Sequence, residues 1–197
     1  METTPVLLVH GLWDSGAIMT PLKRGLQRRG IERVHAIDLL PRSGQASIAE
    51  LGAIVAREAE AFAQREGVAR IDLVGFSMGA LVSRWYLQRG GGKARVRRFV
   101  SISGPHHGTL SAHLLPFAGV RDMRPHSALL RDLAADVDPF GEVEVHCVYT
   151  PYDLLILPAT SSLLPGARST RAFKVLLHGL MILDRRVHGH VAEILRA

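Results

Sequence analysis

A serine flanked by two glycines lies where an apolar run gives way to a helix-like run. Residues 72–87 read DLVGFSMGALVSRWYL, and Ser77 is the centre of the Gly-Phe-Ser-Met-Gly motif at 75–79. A sharp strand-to-helix turn needs small residues on both sides and holds a serine hydroxyl out at its apex. The alternative is a chance match, which occurs in roughly one chain of this length in fifteen. Because the motif joins a predicted strand to a predicted helix, we predict that Ser77 is a nucleophile.

A nucleophilic serine needs a base to accept its proton and a carboxylate to orient that base. Where the serine lies at a strand-to-helix turn of this kind, the order along the chain is serine, acid and histidine, with each partner after a later strand. Asp153 is the first carboxylate after the apolar run 143–149, and His178 directly follows the run 173–177. We therefore predict Asp153 as the acid and His178 as the base.

Each of these two assignments has a competing interpretation. Asp153 can instead accept hydrogen bonds within its own turn, as aspartates commonly do. His188 and His190 are rival bases, but both fall within the predicted last helix. A histidine on a helix is more typical of packing or of a solvated surface.

Acyl transfer also requires two donors for a negatively charged oxygen. The N–H of Met78 follows the serine at the start of a helix, where such donors point outward. The second donor is expected in the loop after the first strand, where Gly11 lets the chain bend and Leu12 supplies the N–H. We predict Leu12 and Met78 as the oxyanion donors, and we assign His10 a structural hydrogen-bonding role.

Apolar residues in the same loops predict an apolar substrate group. We expect Trp13 at the entrance and Leu154, after the fifth strand, to bind substrate. The runs 114–117, 154–158 and 163–165 are also apolar, although part of each can belong to the core. An exposed apolar wall suits an acyl chain or a lipid interface.

Alternation of strands and helices predicts the fold that brings these loops together. Continuous apolar runs are typical of strands covered on both faces, and six are present: 6–9, 34–37, 71–74, 98–102, 143–149 and 173–177. Helix-like segments separate them, the clearest starting with a capping box at 47–50. We predict an α/β protein with a near-minimal, doubly wound, mainly parallel six-stranded sheet and helices on both faces. Ligands bind such sheets beyond the carboxyl ends of the strands.

Chain length favours a single domain over residues 1–197. Residues 103–140 are the least periodic stretch, with several prolines and mixed apolar residues. We expect this stretch to form loops and short helices that cap the site.

Charge and composition exclude several classes of function. The 24 Lys and Arg residues exceed the 18 Asp and Glu residues, but they form short scattered groups that indicate a solvated surface rather than a nucleic-acid site. The single cysteine, Cys147, has no partner for an internal disulfide. The sequence starts without a basic segment and apolar core of the signal-peptide type, and no run approaches ~20 apolar residues. These features favour a cytoplasmic protein.

Histidine pairs at 106–107 and at 188 and 190 lack a recognisable metal-ligand spacing. No Walker sequence and no dinucleotide fingerprint follow the strands. We therefore expect neither a metal nor a cofactor.

Three motifs together resemble the lipase branch of the α/β-hydrolases, especially the small bacterial triacylglycerol lipases and related esterases. They are His-Gly at 10–11, Gly-Phe-Ser-Met-Gly at 75–79 and Ser-Gly-Pro-His-His-Gly-Thr at 103–109, and the resemblance covers essentially the whole chain. It implies an α/β-hydrolase fold with Ser77 as nucleophile, Asp153 as acid and His178 as base. It also implies that the Leu12 and Met78 N–H groups form the oxyanion hole.

These inferences predict a serine hydrolase that cleaves carboxylic esters with an apolar acyl group through an acyl-enzyme. The expected partner is a small ester or lipid substrate, with transient contact to a lipid interface and no nucleic acid. Lipase and esterase activity both stay open, as does the oligomeric state. Two alternatives are an acyltransferase with the same triad and a non-catalytic hydrolase-fold protein that binds a lipid or a protein partner.

Overall fold

The computed structural model describes residues 3–197, which form one six-stranded sheet with helices on both faces. All neighbouring strands pair in parallel, in the order β2-β1-β3-β4-β5-β6. The strands are β1 (Val6–Val9), β2 (Val34–Ile37), β3 (Ile71–Phe76), β4 (Val96–Ile102), β5 (Glu144–Tyr149) and β6 (Ser169–Ala172). The predicted doubly wound sheet is confirmed, and it is parallel throughout.

Seven α-helices and four short 3-10 segments connect the strands within residues 3–197. The helices are α1 (Thr20–Gln27), α2 (Ile48–Glu66), α3 (Met78–Arg89), α4 (Gly92–Arg95), α5 (Ala118–Asp122), α6 (Ala128–Ala134) and α7 (Arg185–Arg196). The 3-10 segments are Gly16–Met19, Leu110–Leu114, Ala159–Ser162 and His178–Ile182. No helix among these residues is long and apolar enough to cross a bilayer.

Two hydrophobic cores lie on opposite faces of the sheet, and β1 contributes to both. Leu7 and Val9 pack with residues of α2 and α3, whereas Val6 and Leu8 pack with residues of α1 and α7. Successive side chains of a strand point to opposite faces, so a strand covered on both sides must be apolar at every position. This is why the inner strands are continuous apolar runs rather than alternating ones.

Helix α2 begins with the capping box that the sequence predicts. The Ser47 side chain accepts from the Glu50 N–H at 3.2 Å, and the Glu50 carboxylate accepts from the Ser47 N–H at 2.7 Å. A third N–H at this end, that of Ile48, donates to Asp122 at 2.9 Å. Because Asp122 ends α5, the same contact ties the segment after β4 to the start of α2.

The position of the sixth strand corrects one prediction. The strand is Ser169–Ala172, whereas the run predicted to be a strand, 173–177, is an irregular segment. β6 is the edge strand and pairs only with β5, so its polar Ser-Thr-Arg-Ala sequence needs no apolar cover on both faces. The apolar run has a different role: Phe173 and Val175 are buried in the core beside α7.

Residues 103–140 contain a 3-10 segment and the two short helices α5 and α6. Hydrogen bonds connect this stretch to two other loops. The Gly119 N–H donates to Gly44 at 3.0 Å, and the Thr109 hydroxyl donates to the Leu155 carbonyl at 2.7 Å. These contacts hold the stretch against the carboxyl ends of the strands.

We expect Ser47→Ala to lower the free energy of unfolding by about 1 kcal/mol, because the first turn of α2 loses an acceptor for an unpaired N–H. Urea denaturation of the two proteins measures the difference. Ser47→Thr keeps the hydroxyl and should retain most of the stability. Equal loss in both variants would show that the cap does not stabilise the helix.

Candidate active site

Ser77 occupies a strained turn between β3 and α3. Its backbone angles are φ 55° and ψ −128°, a region that side chains other than glycine rarely adopt. The two flanking glycines make the turn possible. A Cβ at Gly75 would lie 2.6 Å from the Cα of Ala80, and one at Gly79 would collide with the backbone oxygen of His10. The sequence motif therefore reflects close backbone packing, and that packing holds the Ser77 side chain at the apex.

Asp153 and His178 form a buried pair at the same end of the sheet. The Oδ2 atom of Asp153 lies 2.7 Å from the Nδ1 atom of His178. The other carboxylate oxygen accepts from the N–H groups of Leu155 and Ile156, at 3.0 and 2.9 Å. Asp153 therefore makes the contacts that both interpretations predict, since one oxygen accepts within the turn and the other pairs with the histidine.

The pairing determines which nitrogen of the His178 ring can accept a proton. A carboxylate only accepts hydrogen bonds, so Nδ1 carries the hydrogen and Nε2 is the basic nitrogen of the neutral ring. The Nε2 atom is buried and has no hydrogen-bond partner within residues 3–197. The ring packs against Phe76 with the centroids 4.9 Å apart. The imidazole is held by contacts that leave its basic nitrogen free.

Ser77 and His178 line the same cavity, which has a volume of about 450 Å³. One wall of this site cavity is apolar and includes Leu12, Ala112, Leu115, Val120, Met123, Leu155 and Ile156. Four of these residues, Ala112, Leu115, Val120 and Met123, come from the stretch 103–140. The cavity places an apolar surface beside the hydroxyl of Ser77, as an acyl chain requires.

The loop after β1 lies directly against the serine. A Cβ at Gly11 would be 3.0 Å from the Cβ of Ser77 and 3.4 Å from its Oγ. Leu12 follows Gly11 and Met78 follows Ser77. Their N–H groups donate to no backbone or side-chain acceptor in the described part of the chain. Leu12 and Met78 both line the site cavity. Two free N–H groups beside a serine hydroxyl are what an oxyanion hole needs.

His10 is buried, and both of its ring nitrogens bond to the backbone. Nδ1 lies 2.8 Å from the Gly11 carbonyl, and Nε2 accepts from the Leu39 N–H at 2.9 Å. Only a neutral ring can donate at one nitrogen and accept at the other. Burial lowers the pKa of His10 below its ordinary value of 6.5, which favours that neutral form. The structural role predicted for His10 agrees with these contacts.

The two residues predicted to bind substrate lie at the edge of the site. Trp13 lines the cavity and is 59% exposed, so it forms part of the entrance. Leu154 does not line the cavity and is 68% exposed. Its neighbours Leu155 and Ile156 take that place because the turn at Asp153 directs them inward.

Sequence reasoning missed Asp14, a carboxylate that also lines the site cavity. The available signal was its position two residues after the predicted oxyanion donor Leu12. That signal is weak because an acidic residue in a loop after a strand is ordinarily solvated.

The rival histidines do not join the site. The Nε2 atom of His188 bonds the Ile182 carbonyl at 2.8 Å, and its ring is buried beside Gly25 of α1. His190 lies near Arg171 and Glu193, and its ring packs against Phe173 with the centroids 5.7 Å apart. Neither histidine lines the site cavity. Within residues 3–197, no cluster of three His, Cys, Asp or Glu residues could hold a metal ion.

The doubly wound parallel sheet, with a strained serine after β3 and a histidine after the last strand, defines an α/β-hydrolase. Aspergillus fumigatus lipase B has the same fold, with a TM-score of 0.85 and 16% identity over 99% of this chain, which spans 53% of the lipase. Bacillus licheniformis lipase BlEst2 in its mature form has a TM-score of 0.80 and 17% identity, and the match covers 98% of this chain and 92% of the lipase. A pyrethroid hydrolase from Sphingobium faniae has a TM-score of 0.66 and 17% identity, and the match covers 98% of each chain.

The chain belongs to the palmitoyl protein thioesterase family, whose sequence profile matches residues 5–161. The matched range includes Leu12, Ser77 and Asp153 and ends before His178. No curated protein sequence matches the chain. The protein is therefore a member of a hydrolase family and has the fold of lipases and esterases, as its motifs predict.

We expect His10→Leu to lower kcat for ester hydrolysis by about a hundredfold, because the loop that carries the Leu12 N–H loses both hydrogen bonds that position it. Steady-state kinetics with a p-nitrophenyl ester measures the change. His113→Leu is the matched control, since His113 is exposed and lies outside the site cavity.

The same residue predicts a pH dependence of stability. The pKa of His10 is lowered in the folded protein, so below about pH 6.5 the unfolded chain binds more protons than the folded protein. The free energy of unfolding therefore decreases as the pH decreases. His10→Leu should make this decline shallower between pH 7.5 and pH 5.5, measured by urea denaturation. An unchanged slope would contradict the assignment of a neutral buried ring.

Proposed function

We propose that the protein is a serine hydrolase that cleaves carboxylic esters and thioesters of apolar acyl groups through an acyl-enzyme. One observation carries the proposal: the Asp153–His178 pair, 2.7 Å apart, leaves a free buried nitrogen in the same cavity as Ser77. Membership of a thioesterase family supports the inclusion of thioesters.

In the first step, the Oγ of Ser77 attacks the acyl carbon while Nε2 of His178 accepts the hydroxyl proton. The Asp153 carboxylate stabilises the positive charge that develops on the imidazole. The carbonyl oxygen becomes an oxyanion and binds the N–H groups of Leu12 and Met78. Loss of one such donor typically raises the barrier by about 3 kcal/mol.

The tetrahedral intermediate then collapses. Nε2 of His178 donates its proton to the leaving alcohol or thiol, and the acyl group stays on Ser77. A water molecule repeats the sequence: it gives a proton to His178, attacks the acyl carbon and releases the carboxylic acid. The serine proton returns from His178, so the enzyme is restored without a cofactor.

We propose that residues 103–140 cap the site and bind the acyl chain. This stretch supplies Ala112, Leu115, Val120 and Met123 to the apolar wall. Its hydrogen bonds to Gly44 and to the Leu155 carbonyl favour a cap held in place over one that swings open.

We also propose transient contact of the cavity entrance with a lipid interface. Leu114 and Leu155 line the cavity yet are 82% and 56% exposed, and Trp13 lies beside them. Apolar side chains at the entrance would let a substrate leave a lipid phase without crossing water.

Ser77→Ala should abolish hydrolysis of a p-nitrophenyl ester series from acetate to palmitate and of an S-acyl thioester. The folded wild-type protein should gain the mass of a fluorophosphonate at Ser77, and the variant should not. Absence of labelling would contradict the proposal and favour the alternative of a non-catalytic binding protein. Transfer of the acyl group to an added alcohol or thiol in preference to water would identify an acyltransferase.

The assignment of the base is tested by His178→Ala, which should lower kcat at least about a thousandfold because Ser77 loses its proton acceptor. His190→Ala is the control, since its ring lies outside the site cavity, and it should keep near wild-type turnover. A large loss in the control variant with normal activity in His178→Ala would reverse the assignment.

A further inference from the structure

A second cavity, the arginine groove, lies between α1 and α7 and has a volume of about 360 Å³. Four arginines line it: Arg24, Arg28, Arg29 and Arg185. Within residues 3–197, no Asp or Glu side chain contributes to its walls. Its lining residues all differ from those of the site cavity, so the reaction proposed above gives the groove no role.

Close packing of α1 against α7 forms the groove. A Cβ at Gly25 would collide with the ring of His188, so the two helices approach closely at this point. Arg29 bridges them, because its guanidinium donates to the Gly25 carbonyl at 2.8 Å and to the Arg185 carbonyl at 3.3 Å. The spacing of the remaining arginines is therefore set by helix packing.

The other three guanidinium groups of the groove are unpaired. In the part of the chain that the structure describes, the side chains of Arg24, Arg28 and Arg185 make no hydrogen bond or ion pair. Arg24 and Arg28 are four residues apart on one face of the helix, where like charges repel. Arg185 lies in the first turn of α7, where the helix dipole disfavours a cation. An anion bound between them would relieve both unfavourable interactions.

The carboxylates of the neighbouring segments are engaged elsewhere. Residues 15–31, which include α1, contain no Asp or Glu. In α7, an oxygen of Glu193 lies 3.5 Å from the ring of His190. Asp184, directly before α7, pairs with Arg186 at 2.6 Å. The positive charge of the arginine groove is therefore left for a ligand to balance.

The residue type indicates the chemistry of that ligand. Each guanidinium presents a planar fork of N–H donors that matches two oxygens of a phosphate group. A ligand with a single charge, such as a carboxylate, would balance only one of the cations. We propose that the arginine groove binds a phosphorylated ligand that carries at least two negative charges. A soluble diphosphate and the phosphomonoester headgroup of a lipid share this chemistry.

Titration calorimetry with inorganic pyrophosphate tests the proposal. Binding to the wild type should be saturable and should weaken as salt is added, because exposed charges are screened. The Arg24→Ala, Arg28→Ala double variant should bind at least about tenfold more weakly, the usual scale for hydrogen bonds to a charged group. The control is the Arg57→Ala, Arg131→Ala double variant, which loses the same charge from exposed positions on α2 and α6. It should keep the wild-type Kd.

A thermal melt of each variant checks that it is folded. Absence of saturable pyrophosphate binding, or an equal loss of affinity in both double variants, would overturn the inference. Ser77→Ala should bind pyrophosphate as the wild type does, so the result does not depend on the proposed hydrolase activity.

Sedimentation with phosphatidylcholine vesicles that contain phosphatidic acid distinguishes the two sources of the phosphate. Sedimentation that pyrophosphate reverses would support a lipid headgroup as the ligand. Saturable pyrophosphate binding without sedimentation would support a soluble ligand.

Discussion

Close packing of the backbone between the loop after β1 and the start of α3 is the constraint on which the site depends. Gly79 fits against the backbone oxygen of His10, and Gly11 fits against the Cβ of Ser77. A side chain at either position would push the loop after β1 away from the turn at Ser77. The strained backbone of Ser77 persists because the parallel sheet before it and the helix after it fix the conformation of the turn. The packing that forms the sheet therefore also positions the N–H groups of Leu12 and Met78 beside Ser77.

The side chains of Asp153 and His178 are also held in place by contacts within the fold. Two N–H groups of the turn hold one oxygen of Asp153, so its other oxygen has a fixed direction. His178 is then oriented by a hydrogen bond on one nitrogen and by the ring of Phe76 on its face. A buried charge is tolerated here because each carboxylate oxygen has a partner. The result is a histidine whose other ring nitrogen is buried and has no hydrogen-bond partner within residues 3–197.

The site cavity combines an apolar wall with a few polar groups. Of its polar lining residues, Asp14 follows β1, Ser77 follows β3, Thr109 and Ser111 follow β4, and His178 lies after β6. The apolar wall comes largely from the stretch between β4 and β5, which is anchored through Asp122 and Thr109. Changes in that stretch can therefore alter the cavity wall without moving Ser77, Asp153 or His178. One fold can serve different functions in this way because the loops around the site determine what it binds.

The sequence by itself determined the features that follow from local physics. Continuous apolar runs specify strands buried on both faces, Ser47 and Glu50 specify the start of α2, and the glycines around Ser77 specify a turn that larger residues cannot form. The order of Ser77, Asp153 and His178 after successive strands was also sufficient to nominate them, because parallel strands end at one edge of the sheet.

Only the tertiary structure decided the features that depend on neighbours distant in the chain. β6 is a polar strand because it lies at the edge, and the apolar run after it fills the core instead. Leu155 and Ile156 line the cavity in place of Leu154 because the hydrogen bonds at Asp153 direct the turn. Asp14 belongs to the site because the β1 loop folds against Ser77. No local pattern encodes these outcomes, since each depends on which surface a residue meets after the sheet has formed.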